Sequence, residues 1–327
     1  MKALVTGASG FVGGAVFRRL RELGWDVMGA GRRPLDEPGY VSLDLSRPFE
    51  LDFHPDVVIH AAARSSPWGR RSEFEAQNVT ATRRVVDFCA THGRPHLIYI
   101  STAAVLYRNE HQLAMNEQTP VPAKPINEYA RAKYLGELLV HGYPGDWCIL
   151  RPRAVFGPGD TVVFPRILRA LARGRLPLIE SDQPVVGDLV FIDTLAEYIV
   201  RAAERRATGL YHLTNGEPVE IYAFLGRLCA GLGLAAPSRR VGARQAMRLA
   251  QVIETFYRLL PFLGEPPITP FGVSVFAYSK TFDVSRSVRD LGPPSVGLEE
   301  GLRRFIAAQP RAPNESPGVS RANSQPT

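Results

Sequence analysis

Cysteine is scarce: Cys89, Cys148 and Cys229 are the only three in 327 residues. They lie far apart, so they supply neither a disulfide framework nor a metal-ligand spacing. That excludes a stapled secreted scaffold and leads us to expect a reducing, cytoplasmic setting and no metal. Long apolar runs are missing too; none approaches the length that crosses a bilayer. The first strand-like run starts at Lys2, so no secretory leader is expected. Acidic residues are the minority and the net charge is +7, yet the arginines are spread along the chain. Without a basic stripe and interleaved aromatics, no nucleic-acid partner is expected. A small ligand that carries phosphates suits this balance better. There is no internal repeat.

What is present begins at the N-terminus. Lys2-Ala3-Leu4-Val5 reads as a strand and breaks at Thr6-Gly7-Ala8-Ser9-Gly10-Phe11-Val12-Gly13-Gly14. A helical pattern follows from Ala15 to Leu20. Strand, glycine turn and helix form the arrangement that binds a dinucleotide. Gly7 permits the tight turn, Gly10 lets a pyrophosphate approach the backbone, and Gly13 lets helix and strand pack closely. The free N–H groups and the positive end of the helix then face the phosphates. Gly7, Ser9, Gly10, Phe11, Val12 and Gly13 are therefore the first candidate cofactor-binding residues.

A second strand, Gly24 to Ala30, runs into Gly31-Arg32-Arg33. An NAD site usually places Asp or Glu here for the ribose hydroxyls. A carboxylate would repel a 2′-phosphate, whereas an arginine forks onto it. NADP is the expected cofactor and NAD the less favoured one, with Arg32 as reader and Arg33 as alternate. The other reading is a pair of solvated surface arginines. Asp44 and Leu45 close a third strand that starts at Tyr40. Asp44 has two equal readings, accepting from the adenine amino group or capping the next turn.

Pro55 to Ala63 reads as a buried strand whose small residues Ala61 and Ala62 let backbone approach the ribose and nicotinamide. His60 is assigned to packing. Phe74 to Thr91 reads as a helix with Asn78, a polar cofactor candidate, near its start. The strand from His96 ends in Ser101-Thr102, and the helix Asn127 to Glu137 carries Tyr129 and Lys133 four residues apart, hence on one face. An ammonium beside a phenol favours phenolate and lowers its pKa from about 10. Such a tyrosine can exchange a proton with a substrate oxygen near neutral pH, while Thr102 hydrogen-bonds the same oxygen. Thr102, Tyr129 and Lys133 are the catalytic candidates.

Trp147 to Pro152 is a further strand, with Pro152 a cofactor candidate at its end. Val185 to Val200 gives a short extended segment and a helix, and Gly209 to Thr214 a strand. Arg244 to Leu263 is a basic amphipathic helix, read as core packing, as a lid over an apolar substrate, or as a membrane-surface contact. Ser279 to Asp283 is the last strand candidate and Leu298 to Ala308 the closing helix; 309–327 reads as a disordered tail.

These pieces resemble the extended short-chain dehydrogenase/reductases. The matching motifs are Thr6 to Gly13, Asp56-Val57-Val58-Ile59-His60-Ala61-Ala62, Asn78-Val79-Thr80, Ser101-Thr102, Tyr129-Ala130-Arg131-Ala132-Lys133, Leu150-Arg151-Pro152 with Gly157-Pro158-Gly159, and Phe191-Ile192-Asp193. The resemblance implies an α/β fold, a Rossmann-type doubly wound parallel sheet with a smaller C-terminal substrate domain. It implies residues 1–155, completed by about 186–215, for the cofactor, and 156–185 with 216–308 for the substrate. It makes Tyr129 the proton donor or acceptor, Lys133 a ligand of the nicotinamide ribose, and Thr102 the group that polarises a carbonyl. Relatives often dimerise, so a homodimer is a further expectation.

Departures narrow the branch. Nucleotide-sugar epimerases and dehydratases usually carry Asn where Ala154 stands and Arg where Gly187 stands, both aimed at a diphosphate. Dehydratases put an acidic pair where Ala103-Ala104 stands. The better match is the branch similar to 3β-hydroxysteroid dehydrogenases and 2-alkyl-3-oxoalkanoate reductases, on Ser66-Pro67-Trp68-Gly69, Arg151-Pro152-Arg153 and Gly264-Glu265-Pro266-Pro267-Ile268-Thr269. The expected activity is an NADP-dependent interconversion of a ketone and a secondary alcohol on an apolar 3-oxoacyl or steroid-like substrate. A nucleotide-sugar epimerase or reductase is the alternative, and a cofactor-binding regulator without turnover the third reading.

Overall fold

A computed structural model describes residues 1–309; the tail expected beyond lies, from residue 310 on, outside the described residues. Seven parallel strands form the main sheet: β1 Lys2–Thr6, β2 Asp26–Gly31, β3 Tyr40–Ser42, β4 Val57–His60, β5 His96–Ile100, β6 Trp147–Pro152 and β7 Gly209–Leu213. Their order is β7-β6-β5-β4-β1-β2-β3. The order turns back between β1 and β4, and a crevice opens beyond the carboxyl ends of the strands at such a point.

The strands are apolar on both faces because helices cover both. Period-two alternation still sorts the side chains. Ala3, Val5, Val57, Ile59, Ile98, Ile100, Cys148 and Leu150 pack with Val16, Phe17 and Leu20 of helix Phe11–Glu22 and with helix Ile192–Glu204. Leu4, Val58, Leu97, Tyr99 and Ile149 face the other way, onto Val85, Phe88 and Cys89 of helix Ala81–Thr91 and Val140 of helix Glu128–His141. All three cysteines are buried and free, so they serve packing.

A four-stranded sheet, in the order Val219–Glu220, Val186–Gly187, Lys280–Phe282 and Gln112–Met115, lies outside this frame. Beside it Phe156, Phe164, Phe191, Phe224 and Phe305 form one aromatic cluster.

Several boundaries differ from expectation, each for a local reason. The third strand stops at Ser42, before Asp44. β4 ends at His60, so Ala61 and Ala62 belong to its exit loop. The expected helix from Phe74 starts at Arg71 and passes through a π-helical stretch, Glu75–Thr80, that holds Asn78. The long basic helix spans Ala243–Leu259 and gives way to a 3₁₀ turn, Pro261–Leu263.

Candidate active site

The glycine turn has no room for side chains. Gly7 has a φ of +74°, and a Cβ there would lie 2.7 Å from the Ala62 nitrogen and 2.8 Å from the Ala61 carbonyl carbon. A Cβ on Gly13 would collide with the Gly7 carbonyl oxygen. The turn is thus pressed onto the exit loop of β4. Gly10 opens helix Phe11–Glu22 with no side-chain cap, and the first turn holds no acidic residue. The N–H groups of Phe11, Val12 and Gly13 therefore have no acceptor within the helix.

Thr6 and Thr82 clamp the His60 ring at 2.7 and 3.0 Å. Burial pushes that ring down to about 3, so it stays neutral and structural. Asn78 spends its amide on the backbone of Arg64, accepting from the nitrogen at 2.7 Å and donating to the oxygen at 3.3 Å. It anchors the exit loop. Asp44 accepts from the Ser46 nitrogen at 3.0 Å and hydroxyl at 2.7 Å through one carboxylate oxygen, which caps the turn. Those bonds, with Arg32 and Arg47 nearby, hold its carboxyl below the usual range. Leu45 is buried in the sheet core, and Pro152 closes β6 opposite Leu213.

The arginine pair divides. The Arg33 guanidinium donates to the Ser9 carbonyl of the glycine turn, whereas the charge of Arg32 acts on Asp44. Both are exposed. A Cβ at Gly31 would lie 2.7 Å from the Ser9 hydroxyl, so no acidic side chain fits there without displacement.

Thr102 follows β5 and accepts from the Ala104 nitrogen at 3.2 Å. Asn127 caps the next helix by accepting from the Ala130 nitrogen at 2.8 Å, which sets Tyr129 in its first turn. The hydroxyls of Ser65 and Thr102 lie beside the Tyr129 phenol and favour its ionised form. Burial outweighs them and holds the phenol above its usual pKa. Lys133, expected to lower it, is not among the groups that shift it. Lys133 itself is buried, and desolvation brings it down to about 7 against the pull of Glu137. Its Nζ lies 4.1 Å from the centre of the Tyr99 ring.

Sequence reasoning missed the supports of this group. Arg151 forks onto Glu137 at 2.8 and 2.6 Å, and Ser101 donates to the same carboxylate. The Arg151–Glu137 pair is 4%/1% exposed, so each charge depends on the other. Gly136 faces Tyr99 so closely that a Cβ would overlap the phenol oxygen, and that phenol donates to the Lys133 carbonyl at 3.3 Å. The available signal was Glu137, one turn beyond Lys133. Ser65 carried none.

On the far side, a Cβ at Gly187 would lie 2.5 Å from the Arg153 guanidinium. That group bonds the Asp188 carbonyl and lies beside the Tyr107 hydroxyl. The absent Arg at Gly187 thus makes room for one arriving from Arg153. Among the described residues no group of three or more His, Cys, Asp or Glu could hold a metal, and no helix is long and apolar enough to cross a membrane.

A Gly-cradled helix N-terminus at the sheet's turning point, with Thr, Tyr and Lys on neighbouring elements, defines a class. Residues 3–214 match the NAD dependent epimerase/dehydratase family, and the chain belongs to it, as an oxidoreductase of the extended short-chain type. Among its relatives, the 2-alkyl-3-oxoalkanoate reductase of Stenotrophomonas maltophilia is 31% identical, over 94% of this chain and 99% of that one. The 3beta-hydroxysteroid-dehydrogenase/decarboxylase isoform 1 of Arabidopsis thaliana is 32% identical over 82% and 66%. Among solved structures, UDP-glucuronic acid 4-epimerase from Bacillus cereus, in complex with NAD, shares the fold at a TM-score of 0.71 and 21% identity, over 94% and 98% of the two chains.

Proposed function

We propose that this protein is an NADP-dependent oxidoreductase that interconverts a ketone and a secondary alcohol on a largely apolar, 3-oxoacyl or steroid-like substrate. One observation carries the reading. The short exit loop of β4 touches both halves of the site: Ala61 and Ala62 wall the glycine turn, and Ser65 lies beside the Tyr129 phenol. Dinucleotide and proton donor then share one crevice.

The cofactor fits because Gly10 opens a helix whose first turn has no side-chain cap and no acidic residue. Gly7, Ser9, Gly10, Phe11, Val12 and Gly13 would hold its pyrophosphate, with Arg32 and Arg33 at the 2′-phosphate and Lys133 at the nicotinamide ribose. Ala61, Ala62 and Pro152 line its path. Asp44, Leu45 and Asn78 act one step back, by shaping the loops. A bound nicotinamide supplies or accepts the hydride. Tyr129 gives a proton to the carbonyl oxygen in reduction and takes it back in oxidation. Thr102 orients that oxygen, and the Lys133 ammonium stabilises the phenolate left behind. Residues 156–185 and 216–308 form the substrate side.

Two things favour this over the nucleotide-sugar reading: the relatives named above, and Arg153 filling the space at Gly187 and bonded to protein groups. The test is NADPH oxidation against a panel of β-keto acids, steroid ketones and nucleotide sugars. Turnover of the first two is expected; turnover of the sugars alone would replace the reading.

A further inference from the structure

Helix Ala243–Leu259 is seated the wrong way round for a core helix. Its buried positions are small: Ala246 and Ala250 pack against Ile179, Val273 and Ala277. Several of its large apolar residues point outward. Leu249, Val252, Phe256 and Leu259, spaced by three and four, form one stripe, which Phe262 extends beyond the helix end. They are 52% to 80% exposed. A cluster of this kind marks a contact surface rather than scattered surface apolars.

The polar border of the stripe has one sign. Arg244 and Arg248 are exposed and form no ion pair among the described residues. The only carboxylate on the helix, Glu254, is held by Arg258 at 2.7 Å. A second copy of the chain meeting this face would bring like charges together with no carboxylate to oppose them. An anionic bilayer presents the complementary chemistry, acyl chains for the stripe and phosphates for the arginines.

The stripe ends at the crevice. Trp68 Nε1 donates to the Gly264 carbonyl at 3.1 Å, and Arg258 lies over the Trp68 ring at 5.5 Å. Arg166 bridges Glu265 at 3.0 Å and the Ser66 hydroxyl at 3.4 Å. Ser66 and Trp68 continue the loop whose Ser65 lies beside Tyr129. We infer that the outer face of this helix docks on an anionic bilayer, and that the apolar substrate enters from it past Trp68. The entry step rests on the ketone reading; the docking does not.

The test is co-sedimentation of the full chain with phosphatidylcholine vesicles, with and without about a third phosphatidylglycerol. Binding to the anionic vesicles is expected, weakened at least about tenfold in the double variant Val252→Glu, Phe256→Glu and lowered by salt. That variant should keep its thermal midpoint and its turnover of a short water-soluble ketone, and lose turnover of a long-chain ketone carried in the vesicles. No binding of the wild type to anionic vesicles overturns the inference. So does a dimer, seen by sedimentation velocity, that the double variant dissociates while vesicles are ignored. Binding is read without turnover, so failure of the ketone reading shows separately.

Discussion

The glycine turn and helix Ala243–Leu259 are opposites in how they are constrained. At the turn an added Cβ collides at Gly7, against Ala62, and at Gly13, against Gly7 itself. Along the helix, Leu249, Val252 and Phe256 touch little of the protein. The turn is closed by the protein's own backbone, which tolerates no Cβ at Gly7 or Gly13, and the helix leaves an apolar stripe exposed. The first kind of constraint writes a motif; the second writes only a period.

The largest expected effect comes from the crevice side. Tyr129→Phe should cut turnover by about a thousandfold while leaving NADPH affinity within about twofold, measured by steady-state kinetics and fluorescence titration. Retained turnover would sink the mechanism. Gly13→Ala should cost about 1–3 kcal/mol in stability through overpacking against Gly7, with cofactor affinity falling alongside, read by urea denaturation.

Acid should loosen the frame next. Burial holds His60 and His212 at about 3, so both stay neutral in the folded protein. The unfolded chain protonates them near 6.5, so stability falls as pH drops through 6.5 and continues to fall toward 3. Between pH 6.5 and 5 the loss is about 2 kcal/mol per histidine, and His212→Leu should remove one share from the slope. A flat profile would show that neither ring is excluded from water.

Arg32→Ala and Arg33→Ala each should weaken NADP about tenfold, with NAD affected far less. Equal losses would make them ordinary surface residues. The smallest effect is expected on the open helix: Phe256→Ser should shift unfolding by no more than about 0.5 kcal/mol, and a larger change would mean that the stripe is packed after all.

Much of the frame was readable in advance. Lys2 to Gly13 announced strand, turn and helix, because a tight turn and a close backbone approach each demand glycine at a set spacing. Tyr129 and Lys133 were visible because four residues make one helical turn. Asn78 and Asp44 could be noticed but not assigned, since the same polar atoms serve a ligand or a loop, and the structure turns both toward backbone.

The order of residues by itself determined the glycine cradle, the apolar strands and the tyrosine–lysine spacing, because these follow from local sterics and helical pitch. Folding in three dimensions decided which way the Tyr129 pKa moves, that Arg151 and Glu137 brace Lys133 from behind, that Arg153 occupies the space left by Gly187, and that the long helix turns its small residues inward. Desolvation, charge pairing and packing depend on neighbours distant in the chain, and no local pattern records them.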